Sequence, residues 1–189
     1  MSRRTPGRRT IEPRIRTYFG AEGAGEKSLA NWLEDIRNSN GRRHHHDVHN
    51  LLGGDTLSLV EKALKKRRQR DLLRPNGFVK SFLLLDFDRH AQDGERSQEA
   101  ERLARRNGLI VIWQLPNLEG LLLRLFPDCE TLKLPAPEID RNLERKWPGY
   151  TKTFSRQDLQ DRFTLEDLRR AARFDENLLR LLRELDLAG

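Results

Sequence analysis

Two aspartates, Asp86 and Asp88, end the most apolar run of the chain, VKSFLLLDFD at 79–88. If that run is a strand, alternation sends both carboxylates to one side and Phe87 to the other. Two like charges this close repel unless a cation lies between them, and an oxygen-only donor pair suits magnesium or manganese. Taken alone, such a pair more often merely caps the following loop. Glu22 shifts that balance. It stands in a glycine-rich turn, GAEGAGE at 20–26, where Gly20, Gly23 and Gly25 let the backbone come close to a ligand. Glu26 and Glu119 each read equally well as first-turn charges of a helix, although the helix after Glu119, GLLLRLF, is apolar enough to be buried.

Other candidates carry weaker signals. His44, His45, His46 and His49 cluster around Asp47. His45 and His49 are spaced for one helical face and so for zinc, but a polar loop leading into a strand, with its histidines in solvent, is the better reading. His90 follows Asp88 by two residues and could move a proton or touch phosphate, or simply sit in a loop. The densest basic run, KKRRQRDLLR at 65–74, is by default a solvated helix face. Beside an acidic site, its Lys65, Lys66, Arg67, Arg68 and Arg70 would hold a nucleic-acid backbone that carboxylates alone would repel.

The elements needed to position these residues can be read from periodicity. Ile15–Phe19 predicts a strand. Lys27–Ile36 predicts a helix through Leu29, Trp32, Leu33 and Ile36. A weak strand follows near Asp47–Leu51, then a helix capped by Asp55 or Thr56 with Leu57, Leu59, Val60, Ala63 and Leu64 on its apolar face. The unbroken Phe82–Leu85 run predicts a strand buried on both faces. A charged helix spans about Gly94–Asn107, stopped by Gly108; a strand covers Leu109–Trp113, and a short helix Leu118–Phe126. Strand and helix alternate four times, which argues for α/β architecture with a parallel sheet. The stretch 127–154, with Pro127, Pro135, Pro137 and Pro148, reads as irregular. From 164 two helices are expected, one using Leu165, Leu168, Ala171, Ala172 and Phe174, the other Leu178, Leu179, Leu181, Leu182 and Leu185. Residues 1–13 read as a flexible basic arm and 14–189 as a single domain.

In order and spacing, YFGAEGAGE, LLLDFDRH, PNLEGLLLRLF and YTK resemble the RloB-like proteins of the Toprim superfamily, over roughly residues 14–155. Gly25 stands where that family often carries serine or threonine. Pro116-Asn117-Leu118 replaces its asparagine-proline order and its aromatic residue. The resemblance implies a small Toprim-like, Rossmann-like parallel sheet flanked by helices, with a helical C-terminal end. It implies magnesium- or manganese-dependent nuclease chemistry on phosphodiester bonds, often in bacterial defence against phage. By the same resemblance Glu22 is the general acid or base, Asp86, Asp88 and Glu119 are metal ligands, and Lys152 is a catalytic lysine. A catalytically silent nucleic-acid- or partner-binding subunit of a defence complex is the alternative.

Composition bounds both readings. Charged residues make up 34% of the 189, and the formal net charge is +7. That balance favours anionic partners, DNA or RNA first. The single cysteine, Cys129, supports neither a disulfide framework nor a cysteine-based zinc site, and a cytoplasmic setting is expected. No apolar run is long enough to span a bilayer, so no membrane partner is expected. The oligomeric state is left open.

Overall fold

The computed structural model describes residues 14–39, 41, 43–73, 76–88 and 93–189. The basic arm at 1–13, His90 and Arg74 lie outside them. Among the described residues, four strands and four helices alternate as the periodicity predicts: β1 (Ile15–Ala21), α1 (Ala24–Ser39), β2 (His44–Asn50), α2 (Thr56–Leu72), β3 (Lys80–Asp86), α3 (Glu95–Arg106), β4 (Ile110–Gln114) and α4 (Leu118–Arg124). Helices α5 (Ala136–Lys146), α6 (Arg156–Arg162), α7 (Leu165–Ala172) and α8 (Glu176–Glu184) complete the described chain. The strands form one parallel sheet in the order β2-β1-β3-β4. The protein is thus an α/β fold of Rossmann-like type with a helical C-terminal end.

Alternating side chains divide the core between the two faces of the sheet. Phe19, Phe82, Leu84 and Ile112 pack with Leu29 and Leu33 of α1, with α4, and with the C-terminal helices as far as Leu187. Tyr18, Leu83 and Leu85 face the other way, onto Leu59, Val60 and Ala63 of α2 and Ala100 and Ala104 of α3. A strand buried on both faces needs an unbroken apolar run, and Phe82–Leu85 supplies it. At Gly20 the absent side chain leaves room for α2, since a Cβ there would meet Leu83 at 2.8 Å and Ala63 at 3.3 Å.

The strand order creates a switch point. From β1 the chain passes through α1 to β2 on one side. From β2 it returns through α2, past β1, to β3 on the other. Right-handed crossovers then put α1 and α2 on opposite faces. The carboxyl ends of β1 and β3 border the crevice between them, where open α/β sheets collect ligands.

Two sequence expectations need correction. Residues 127–154 are not wholly irregular, because α5 occupies 136–146. Its prolines lie at the helix start, where a missing N–H is harmless, and Ile139 and Leu143, four residues apart, are buried. Two helices, α7 and α8, follow residue 164 as expected, and α6, which no expectation covered, precedes them with its own capping box on Ser155 and Asp158. Phe174 does not belong to the buried face of α7; it lies past the helix end and is 57% exposed.

The histidines differ as well. β2 begins at His44, and both His44 and His46 are buried. His46 Nδ1 lies 2.8 Å from the Ala30 carbonyl and Nε2 3.3 Å from Arg37, and burial pushes its pKa down to about 3. His46 is therefore a neutral core histidine. His45 faces Glu34 at 3.5 Å, and His49 faces Asp47 at 2.8 Å. The run is a strand rather than a loop: it pairs with β1 from His44 to Asn50, and both ring nitrogens of buried His46 find partners.

Candidate active site

Each acidic residue predicted at the sheet edge is placed by an element terminus. Glu22 directly follows β1; its carbonyl accepts from Gly53 N–H at 3.2 Å, and its Oε2 lies 3.5 Å from the Asp86 amide. Asp86 closes β3 opposite Gln114 of β4. Its Oδ1 accepts from the Leu118 amide at 3.0 Å, so the same carboxylate caps α4. The backbone N–H of Asp88 donates to the Pro116 carbonyl at 3.0 Å, which ties the end of β3 to the turn before α4. Asn117 N-caps α4 through Gly120 N–H and thereby places Glu119 in its first turn. Glu119 is buried, accepts from Tyr150 Oη at 3.2 Å, and faces Lys152 Nζ at 3.6 Å.

These residues line one open cleft of about 860 Å³. Its walls carry Glu22, Glu26, Asp55, Asp86, Asp88, Asp93, Glu119 and Asp140, with Lys152 the sole cation among the described lining residues. The starts of α1, α2, α4 and α5 all border it, so the positive ends of four helices offset part of this charge. Asp55 caps α2 through Ser58 N–H, Asp93 accepts from both the amide and hydroxyl of Thr56, and Glu26 Oε2 accepts from Gly23 N–H.

The remaining repulsion shows in the acidities. Burial, followed by the charges of Glu26, Glu22, Asp88 and Glu119, pushes the Asp86 carboxyl up to about 8. Glu26 is raised as well, by burial first and then by Glu22 and Glu119. Burial and the Glu119 charge hold the Tyr150 hydroxyl far above its ordinary value, so it stays a hydrogen-bond donor to Glu119.

The donor set fits a hard divalent cation in its chemistry, since every group offers oxygen and the Asp86 carboxyl resists ionising without a counter-charge. It is not drawn together as a finished site: among the described residues no three His, Cys, Asp or Glu side chains are grouped to hold a metal ion. For Asp86, Asp88 and Glu119 to hold one ion, side-chain rotation would have to bring them together.

All five residues expected at the site, Glu22, Asp86, Asp88, Glu119 and Lys152, border the cleft. The basic run does not. α2 starts at the cleft and runs back along the sheet, and Arg67 donates to the carbonyl of Asn107, just before β4. Arg70 pairs with Asp47 at 2.9 Å. Lys65, Lys66 and Arg68 are exposed and lie roughly 14 to 18 Å along the helix from Thr56, at 1.5 Å per residue. Asp93, Asp140 and Tyr150 received no role from the sequence. Asp93 belongs to no spacing motif, and Asp140 lies on the unforeseen α5. Tyr150 had a signal, its place two residues before Lys152. Compared with known proteins, the chain matches no family model, no curated protein and no solved structure.

Proposed function

We propose that the chain is a Toprim-type, metal-dependent nuclease-like protein that cleaves phosphodiester bonds in DNA or RNA. One observation carries the reading: Glu22 and Asp86 end adjacent strands at the switch point of the sheet, in a cleft so acidic that Asp86 is raised to about 8. Such a cleft disfavours a phosphate until cations enter it. Asp86, Asp88 and Glu119 would hold magnesium or manganese, which when bound supplies Lewis-acid polarisation and an activated water. Glu22, fixed between the end of β1 and the start of α1, exchanges a proton with the attacking water or the leaving oxygen. Lys152, largely exposed at the rim, swings toward the phosphate and offsets charge that builds there. Tyr150 holds Glu119 in place. In this reading the setting is cytoplasmic and the role is anti-phage defence. Among the described residues no helix is long and apolar enough to cross a membrane.

A second reading is a silent nucleic-acid- or partner-binding subunit of a defence complex. The observation favouring it is that the carboxylates are not grouped as a metal site and several serve as helix caps. Glu22→Gln separates the two. It keeps shape and hydrogen bonding but cannot exchange a proton. Cleavage should fall by roughly a hundredfold to ten-thousandfold while metal and nucleic acid still bind. Cleavage at the wild-type rate would remove Glu22 from proton transfer.

A further inference from the structure

The two outer strands of the sheet are finished differently. On the outside of β2, α1 supplies partners: the amides of His44 and His46 donate to Asn38 Oδ1 at 2.7 Å and to Glu34 Oε2 at 3.0 Å. β4 pairs with β3 on one side, and among the described residues no strand lies on the other. Its outer side therefore presents an open backbone edge of N–H and C=O groups. A groove of about 410 Å³ follows this edge, between Glu101 and Arg105 of α3 and Arg180 of α8. Ile110, Val111 and Trp113 of β4 line it and are only half-buried. Val111 and Trp113 pack on the α2–α3 face, and Ile110 on the face of the C-terminal helices. Glu101 is engaged by Trp113, whose Nε1 donates to its Oε1 at 3.2 Å. Arg105 and Arg180 are exposed, one on each face of the sheet, and neither guanidinium has a hydrogen-bond or ion-pair partner among the described residues.

We propose that the open edge of β4 takes an extended, acidic segment of a partner protein as a fifth strand. The edge selects an extended polypeptide, because another strand is what meets a row of backbone donors and acceptors. The half-buried side chains of β4 give that strand apolar surface on both faces of the sheet. The two arginines select its charge, since carboxylates on either face would pair with Arg105 and Arg180. A second copy of this chain fits less well. It would bring its own Arg105 and Arg180 to the same edge, and a further net charge of +7. The groove shares no lining residue with the acidic cleft, so the proposal stands apart from the nuclease reading.

The test titrates three short fluorescent peptides onto the whole chain by anisotropy: one of valine and glutamate, its twin with alternate amides N-methylated, and a valine–lysine counterpart. N-methylation keeps the charge and removes strand donors. The acidic peptide should bind, and its N-methylated twin should bind about tenfold more weakly or worse. The lysine peptide should not bind. Arg105→Gln plus Arg180→Gln, both at exposed positions, should weaken the acidic peptide by about 2- to 20-fold and leave the melting temperature unchanged. Hydrogen exchange at the amides of residues 110–114 should slow when the acidic peptide is bound. No binding of the acidic peptide, equal binding of either control peptide, or unchanged exchange in β4 would overturn the proposal. A chain that sediments as a dimer with these amides already protected would overturn it in favour of a second copy. Metal-dependent cleavage is measured separately at the cleft, and none of these outcomes alters it.

Discussion

At the residue scale the site turns on Asp86. Its carboxyl is raised to about 8, by burial and then by neighbouring carboxylates, from an ordinary value of 3.8. The folded chain therefore holds this proton more tightly than the unfolded chain does. The contribution to stability is present below about pH 4 and is lost as pH rises toward 8. Without divalent metal, the wild type should lose on the order of a few kcal/mol across that window. Asp86→Asn cannot ionise, yet keeps an oxygen for the Leu118 amide, so its stability should change less with pH. Urea unfolding at pH 5 and pH 8.5 measures the difference; parallel pH dependence in the two proteins would refute the strain. Asp86 and Glu22 were legible in the sequence because a strand end and a glycine turn fix where such residues stand; Asp88 reaches the cleft differently from the expected alternation, since β3 stops at Asp86 and residues 87–88 are already helical. Asp93 and Asp140 were not, because tertiary folding alone brings them to the cleft.

At the element scale, caps and close approaches decide where the acids stand. α4 approaches the turn before it so closely that a Cβ on Gly120 would lie 2.7 Å from the Leu115 carbonyl oxygen and 2.8 Å from Pro116 Cδ. Backbone and a proline ring cannot yield as a flexible side chain does. Gly120→Ala should therefore destabilise the protein by about 1–3 kcal/mol and shift Glu119, its neighbour, away from Tyr150. Thermal unfolding reads the first effect, and a lowered response to magnesium reads the second; an unchanged melting temperature would contradict the packing. Strands β1, β3 and β4 and the first four helices followed from periodicity because each buries a regular apolar pattern. α5 was missed because Pro135 and Pro137 look like breakers when counted as composition and like a helix start when counted by position. β2 was underrated because its buried face carries His44 and His46 instead of apolar residues.

At the scale of the whole molecule, the net charge of +7 coexists with a cleft lined by eight carboxylates, so positive charge must dominate elsewhere. Part of it is the exposed Lys65, Lys66 and Arg68 of α2. The sequence placed this run near the acids in function; α2, which crosses back over the sheet from the carboxyl end of β2 to the start of β3, carries it away from them. A strand bound at both places must span roughly 20 Å, or about six nucleotides at 3.4 Å each. Replacing Lys65, Lys66 and Arg68 with glutamine should weaken binding of longer nucleic acids, lower its salt dependence, and leave shorter strands unaffected. Anisotropy titrations at two salt concentrations check this. Unchanged affinity for long strands would make the run a solvated face.

The most direct measurement of the central claim is cleavage of a mixed panel of DNA and RNA, single- and double-stranded, with magnesium, with manganese and with chelator. The wild type should cleave at least one member, dependent on metal, and an Asp86→Ala plus Asp88→Ala double variant that still folds should cleave none. The double variant should also lose the rise in melting temperature that metal gives the wild type by mass action. A wild type that binds metal and nucleic acid but never cuts, even with its native partners, would contradict the nuclease reading in favour of the silent subunit. Cleavage that survives in the double variant would contradict the site itself.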